Sequence, residues 1–233
     1  GGAGGNAINS MISENITGVE FIAINSDFQD LQKSKSKRVI QIGKNIAKGL
    51  GVGGDPSLGS ECAKADQNEI TDALQGADMV FITAGMGGGT GTGASPVVAK
   101  LARDAGALTI AIVTKPFEFE ANKRITQADS GINDLTKEVD SIIVIPNDRL
   151  KEVQQISGIA DSFKAADSVL TKAVRGISDI IVGSGFINVD FADVKKIMTE
   201  SGGKALMGTG EGEGTSRAIE ASENAITSPL LED

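Results

Sequence analysis

Histidine, tryptophan and tyrosine are absent from the 233-residue sequence, and cysteine occurs once, at Cys62. A Ser-His-Asp triad, a Cys-His pair and an ordinary zinc site all need residues that this composition does not supply. A single cysteine leaves no disulfide framework, which fits a reducing compartment. No apolar run approaches the ~18 residues of a membrane-spanning helix, so we expect no direct membrane insertion.

Basic residues are also in the minority. The chain has 22 Lys and Arg against 31 Asp and Glu, which gives a net charge of −9 and a pI near 4.7. Domains that bind nucleic acids usually carry a basic stripe, so the composition predicts no nucleic-acid partner. The length suits one large α/β domain or two small ones, with enough residues for a core.

Glycine, in contrast, is abundant, and six of the nine residues over 85–93 are glycines. This run follows an apolar segment, 79–84, that is typical of a buried strand, and it precedes a segment with helical spacing, 94–102. A strand, a glycine turn and a helix start place bare backbone N–H groups at the positive end of a helix dipole. Thr90 and Thr92 add hydroxyl donors. The pattern predicts phosphate binding, and a plain tight connection is the alternative.

Apolar strands and helical segments alternate along the rest of the chain. Strands are predicted over 20–25, 38–42, 79–84, 108–113 and 141–145, and helices over 6–14, 56–75, 119–139 and 160–181. A helix after 183–194, a short strand within 202–210 and a helix over 214–228 complete the prediction. The order indicates an α/β fold: a parallel, Rossmann-like sheet with helices on both faces and a long central helix. Ligands of such sheets bind at the carboxyl ends of the strands.

The phosphate ligand has two candidate classes. Residues 2–7 match the dinucleotide pattern Gly-x-Gly-x-x-Ala, and Asp27 follows about 20 residues later, where it could accept a ribose hydroxyl. An NAD-binding dehydrogenase domain is therefore an alternative. Two glycine segments at neighbouring strand ends suit better one nucleoside di- or triphosphate held between them.

Gly87-Gly-Gly-Thr-Gly-Thr-Gly93 resembles the signature loop of the tubulin superfamily. Residues 2–7, 55–59, 114–117, 145–149 and 188–193 match its bacterial cell-division branch in family order. The resemblance implies a GTPase that uses GTP and Mg²⁺, releases GDP, and assembles head to tail with copies of itself. It implies a GTP-binding domain over 1–182, and over 183–233 an activation loop, a helix and the start of a connection. A first strand and a second domain are expected outside this sequence.

The resemblance also implies roles for individual residues. The two glycine segments are expected to contact the phosphates from opposite sides: Gly2, Ala3, Gly4, Gly5 and Asn6 from one, and Gly87, Gly88, Gly89, Thr90, Gly91 and Thr92 from the other. Glu120 and Arg124 are expected at the ribose; a surface ion pair is the alternative. Phe163 is expected against the guanine, although an aromatic residue on an apolar stripe is more often core. Asp167 is expected to accept the adjacent N1–H and N2–H₂ groups of guanine, a donor pair that adenine lacks.

Hydrolysis is assigned by the same resemblance to Asn188, Asp190 and Asp193. The two carboxylates are expected to orient the attacking water on GTP bound by the next subunit. The alternative is that Asp190 only caps a helix whose first turn contains Asp193. Asp27 is predicted to approach the phosphates or Mg²⁺, and no further metal ligand is predicted.

Two further expectations concern the whole protein. One alternative function is a tubulin-like filament protein that binds GTP without hydrolysing it. The resemblance implies a cytoplasmic protein at the mid-cell division site, or else one in the plastid stroma or mitochondrial matrix. Membrane-anchoring and regulatory division proteins are expected to bind through a tail outside this chain.

Overall fold

The computed structural model describes residues 1–150, 158–182, 190–200, 203–228 and 231. Its strands are β1 Ile22–Asn25, β2 Arg38–Gln41, β3 Met79–Gly85, β4 Leu108–Lys115, β5 Ser141–Pro146 and β6 Gly203–Lys204. Its helices are α1 Gly2–Ser13, α2 Phe28–Gln32, α3 Pro56–Ala65, α4 Gln67–Leu74, α5 Thr90–Asp104, α6 Asn122–Glu138, α7 Ile159–Val182, α8 Phe191–Glu200 and α9 Arg217–Ile226. Short 3₁₀ turns lie at Glu118–Glu120 and Asn147–Arg149.

All strand pairs are parallel, as the alternation of strands and helices predicts. Strands β1 and β2 form one sheet, and β3, β4, β5 and β6 form a second sheet in that order. Strand β4 is buried from Leu108 to Thr114. A strand that is buried on both faces reads as an unbroken apolar run, which is why the sequence signal of β4 is strong.

Side chains of β4 alternate between two cores. Ala111 and Val113 contribute to a core formed mainly with α3, α4, α5 and α6. Leu108, Ile110 and Ile112 contribute to the other core, which contains residues of α1 and α7. Helices therefore cover both faces of the sheet, and the α/β prediction is confirmed. No helix in the described ranges combines the length and apolarity that crossing a membrane would need.

The segment predicted as one helix over 56–75 forms two helices. The carboxylate of Asp55 accepts the N–H groups of Ser57 and Leu58, so α3 begins with a side-chain cap and with Pro56 at its first position. The break falls at Asp66, whose φ and ψ of −112° and 25° are not helical. Its carboxylate accepts the N–H of Gly43 at 2.5 Å. This contact with Gly43, two residues after the end of β2, accounts for the interruption.

Both glycine segments enter helices earlier than predicted. Helix α1 already includes residues 2–5, where the sequence predicts a turn, and α5 begins at Thr90 inside the glycine run. Close packing explains the glycines. A Cβ on Gly4 would lie 2.6 Å from the carbonyl oxygen of Thr83 in β3, and one on Gly91 would lie 2.6 Å from that of Gly85. The helix starts can approach the sheet only because these side chains are absent.

Candidate functional site

A cleft with a cavity volume of about 460 Å³ opens at the carboxyl ends of the strands. Its lining includes Asn25 at the end of β1, Gly85 at the end of β3, Thr114 in β4 and Asn147 directly after β5. This position is where parallel α/β sheets bind their ligands. The volume falls within the range of small-molecule sites.

Most of the predicted ligand residues line this one cleft. They are Gly2, Ala3, Gly4, Asp27, Gly88, Gly89, Thr90, Gly91, Glu120, Arg124, Phe163 and Asp167. The set comes from segments far apart in the sequence, which the topology brings to one edge of the sheets.

Four predicted residues lie beside the cleft instead. Gly5 and Asn6 line a small neighbouring cavity between α1 and α2. Thr92 is 3% exposed, and its hydroxyl accepts the N–H of Gly87 at 2.8 Å. Gly87 has a φ of +97°, a conformation that favours glycine. Gly87 and Thr92 therefore hold the shape of the glycine run, and their expected contact with the phosphates stays a prediction.

The N-termini of α1 and α5 meet at one end of the cleft. Gly2 and Gly4 belong to the first turn of α1, and Gly89 and Gly91 flank the start of α5. Unpaired N–H groups and the positive ends of two helix dipoles therefore face the same space, which favours an anion. Ser26 was not predicted at this site. Its hydroxyl lies 2.7 Å from that of Thr90 and links the end of β1 to α5.

Glu120 and Arg124 form an ion pair at the edge of the cleft. The carboxylate of Glu120 accepts from Nη1 of Arg124 at 2.6 Å and from the N–H of Phe117 at 3.0 Å. The Glu120 side chain is 9% exposed, whereas that of Arg124 is 54% exposed. Only the arginine of this ion pair is as exposed as the alternative, a surface ion pair, would require of both residues.

The opposite end of the cleft contains Phe163 and Asp167 from α7. Phe163 is 42% exposed, so it is not a core residue, and its neighbour Ala166 also lines the cleft. Burial raises the pKa of Asp167 from 3.8 to about 6. No hydrogen bond joins its carboxylate to another residue in the described part of the chain. The end of the cleft thus presents an aromatic ring beside an acceptor.

Asn147 is a candidate ligand that the sequence analysis missed. It is 4% exposed, and its side-chain oxygen has no hydrogen-bond partner within the described residues. A buried polar atom without a partner costs free energy, which a ligand could recover. The signals for it were its position directly after β5 and its place within the family-matched segment 145–149.

A glycine-rich loop over residues 50–54 forms the rim beside the phosphate end. Leu50, Gly51, Val52, Gly53 and Gly54 line the cleft, and the three glycines have positive φ. Leu50 is 80% exposed. The sequence shows three glycines in these five residues, yet no predicted strand ends directly before them to indicate a site.

Asp190 and Asp193, two of the three residues predicted to assist hydrolysis, do not line the cleft. Asn188 lies outside the described residues. Asp190 directly precedes α8, and its carbonyl oxygen accepts the N–H groups of Asp193 at 2.9 Å and Val194 at 3.2 Å. Asp190 and Asp193 are both exposed. This position is compatible with a helix cap, and neither carboxylate reaches the nucleotide-sized cleft of its own chain.

Fold and cleft together define an α/β domain that is suited to binding a nucleoside phosphate. Comparison with known proteins specifies it further. Residues 1–155 match the model of the Tubulin/FtsZ family, GTPase domain, and the chain belongs to this family. The match gives no support to the NAD-binding dehydrogenase alternative, because the glycine pattern of residues 2–7 lies within a tubulin-type domain.

Sequence and structural relatives agree with the family. The chain is 55% identical to the cell division protein FtsZ of Buchnera aphidicola (subsp. Schizaphis graminum) over 234 residues, covering 100% of this chain and 61% of that protein. An empty FtsZ dimer from M. jannaschii matches with a TM-score of 0.95 and 46% identity, over 99% of this chain and 67% of that one. CetZ2 from Haloferax volcanii, a GTPγS-bound protofilament, matches with a TM-score of 0.78 and 26% identity, over 91% and 65%. The chain thus spans about three fifths of the length of the curated relative.

Proposed function

We propose that this chain is the nucleotide-binding part of a cell-division GTPase that assembles head to tail into filaments. The observation that carries the proposal is the cleft, which combines an anion-binding end with an end that contains Asp167, Asn147 and Phe163. The cell-division relative, the dimer and the GTPγS-bound protofilament among its relatives support it.

The phosphates bind between the N-termini of α1 and α5. Backbone N–H groups of the glycine segments donate to the phosphate oxygens, and the absence of side chains allows close approach. Within the described ranges, no group of three or more His, Cys, Asp or Glu is placed to hold a metal ion. Asp27 lines this end, and Mg²⁺ commonly binds one or two carboxylates together with phosphates and water. Asp27 therefore fits a magnesium ion shared with the nucleotide.

Guanine binds at the other end. Phe163 offers a ring face for stacking, and the carboxylate of Asp167 accepts both N1–H and N2–H₂ of guanine. The amide of Asn147 provides a further polar contact with the base. Adenine lacks this donor pair and would leave the carboxylate of Asp167 without its partners, which disfavours adenine binding. The ribose lies between the two ends, beside Glu120 and Arg124.

Hydrolysis takes place between two subunits. Water attacks the γ-phosphorus, the bond to the β-γ bridging oxygen breaks, and GDP and phosphate leave. Asp190 and Asp193 are exposed and lie outside the cleft of their own chain, so they orient this water on the nucleotide of the adjacent subunit, together with Asn188. A catalytic site divided in this way makes turnover depend on assembly.

GTP turnover per subunit, measured against concentration of the full-length protein, tests this proposal. We expect turnover to rise from near zero above a threshold concentration. Asp190→Ala should abolish turnover and retain GTP binding, whereas Asp72→Ala, an exposed aspartate on α4, should behave as the wild type. Mixing Asp190→Ala with Asp167→Ala subunits should restore partial turnover. The Asp190→Ala subunit still binds GTP, and the Asp167→Ala subunit still supplies the carboxylate of Asp190.

Three results would contradict parts of the proposal. Constant turnover at all concentrations would place the water-orienting groups within one subunit. If the mixed Asp190→Ala and Asp167→Ala subunits were as inactive as either variant alone, the water-orienting groups would also be placed within one subunit. Tight GTP binding without turnover would favour the non-hydrolysing filament protein.

The cellular setting follows from the same proposal. We place the protein in the cytoplasm at the division site, where it meets membrane-anchoring and regulatory division proteins. The bacterial relative gives no support to a plastid or mitochondrial location.

A further inference from the structure

Three phenylalanine rings form a cluster behind the base end of the cleft. Phe117 is fully buried, whereas Phe119 is 49% exposed and Phe163 is 42% exposed. The rings of Phe117 and Phe119 stack, with centroids 4.9 Å apart and an interplanar angle of 11°. Both meet Phe163 edge to face, at centroid distances of 5.7 Å and 6.5 Å. The ring of Phe163 is thus supported by two others.

The turn that carries Phe119 is fastened to residues of the cleft. The N–H of Glu118 donates to the carboxylate of Asp148 at 2.9 Å, and Asp148 directly follows Asn147. The N–H of Phe117 donates to the carboxylate of Glu120 at 3.0 Å. The bond to Asp148 ties the turn to the residue after Asn147, and the bond between Phe117 and Glu120 closes the turn on itself. Phe119 is therefore held beside the groups proposed to bind base and ribose.

Ala121 shows how firmly this turn is held. Its φ of 84° and ψ of 146° lie close to a region that is nearly restricted to glycine. A side chain persists there only when the surrounding structure determines the conformation. The carbonyl oxygen of Ala121 accepts the N–H of Arg124 at 3.0 Å, so α6 starts directly from this residue. The turn has little freedom to move Phe119 away.

From these contacts we infer that Phe119 is a positioning residue for guanine recognition. Phe119 does not line the cleft, so it acts through Phe163, whose ring it holds in the orientation that receives the base. Edge-to-face aromatic pairs have a preferred geometry, and losing one partner frees the other ring to change rotamer. The inference rests on the proposed function, because it requires guanine to stack on Phe163.

A double-mutant cycle tests the inference. Calorimetric titration of the nucleotide-free, full-length protein with GDP gives the affinities of Phe119→Ala, Phe163→Ala, the double variant and Phe119→Tyr. We expect Phe119→Ala to weaken GDP binding about three- to tenfold and Phe163→Ala to weaken it about tenfold or more. The double variant should match Phe163→Ala. Tyrosine retains the ring and can direct its hydroxyl to solvent, so Phe119→Tyr should bind like the wild type.

The cycle separates positioning from a general effect on stability. Wild-type affinity in Phe119→Ala would overturn the inference. An equal loss from Phe119→Ala in the wild-type and Phe163→Ala backgrounds would also overturn it, because the effect would not pass through Phe163. Wild-type affinity in Phe163→Ala would contradict the proposed base contact itself. Thermal unfolding of each variant verifies that the compared proteins are folded.

Discussion

The environment of Asp167 would change when guanine binds as proposed here. In the free protein, burial opposes its charge and raises its pKa to about 6. Bound guanine would supply two N–H donors, which favour the ionised carboxylate. Loss of ionisation should therefore weaken GDP binding about fourfold between about pH 7.5 and about pH 5.5. Calorimetric titration at several pH values measures this dependence.

Asp167→Asn is the matched control for this prediction. The phosphates of GDP also titrate in this range, and they do so equally in both proteins. The wild type should therefore lose more affinity on acidification than the variant, and parallel pH profiles would contradict the prediction. Asp167→Asn should also bind GDP more weakly at neutral pH, because its amide cannot accept both guanine donors through a charged group.

The raised pKa of Asp167 also predicts that the stability of the nucleotide-free protein depends on pH. Its folded pKa of about 6 lies above the ordinary value of 3.8. Between these values the folded state binds more protons than the unfolded state, so the contribution of Asp167 to the free energy of unfolding falls as pH rises. Unfolding in denaturant should show Asp167→Asn gaining stability over the wild type from about pH 4 to about pH 6. A difference that is independent of pH would contradict this cause.

For single residues, the sequence identifies site candidates that belong to a distinctive pattern, and it misses those whose importance depends on being buried. The spacing of Phe163 and Asp167 places both on one face of α7, yet only the structure shows that Phe163 is exposed. Asn147 is one polar residue after a strand. Its significance comes from a side-chain oxygen that is buried without a partner, and no local pattern encodes that.

The start of α1 shows how glycines within one helix differ in their packing. A Cβ on Gly4 would lie 2.6 Å from the carbonyl oxygen of Thr83, whereas a Cβ on Gly5 would have no atom within 4 Å. Gly4→Ala should therefore destabilise the nucleotide-free protein by about 1–3 kcal/mol, because α1 must shift from β3. Gly5→Ala should stabilise it by up to ~1 kcal/mol through helix propensity. Thermal unfolding of the full-length protein compares the two, and equal shifts would contradict the packing argument.

Element boundaries are harder to predict from sequence than element types. Strand β4 and helix α7 have long apolar patterns, and both were found close to their observed bounds. The glycine segments lack such a pattern, because the residues at their helix starts are mostly glycines, of which Gly4 and Gly91 pack closely against the sheet. The break between α3 and α4 depends on the contact between Asp66 and Gly43, which are far apart in sequence. Contacts of this kind have no local signal.

Across the whole molecule, the alternation of strands and helices was enough to predict a parallel α/β fold with a site at the strand ends. The division of the strands into two sheets was not predicted, because periodicity indicates strands without indicating their hydrogen-bonded neighbours. The rim loop over residues 50–54 became part of the site only through the placement of both sheets. The leucine of this loop, Leu50, is exposed, and the proposed assembly predicts a role for it.

Leu50 is 80% exposed at the mouth of the cleft. In the proposed filament, the subunit that supplies Asp190 and Asp193 must approach this mouth, and it would cover the leucine. Leu50→Ser should therefore raise the threshold concentration for GTP turnover about tenfold, which corresponds to losing most of the burial of one leucine.

Val39→Ser is the matched control, because Val39 is 45% exposed on β2 and does not line the cleft. Serine carries no charge, so GDP binding to single subunits should change little in either variant. An unchanged threshold in Leu50→Ser would mean that the adjacent subunit completes the site without covering Leu50, and a parallel loss of GDP affinity would place the leucine at the nucleotide instead.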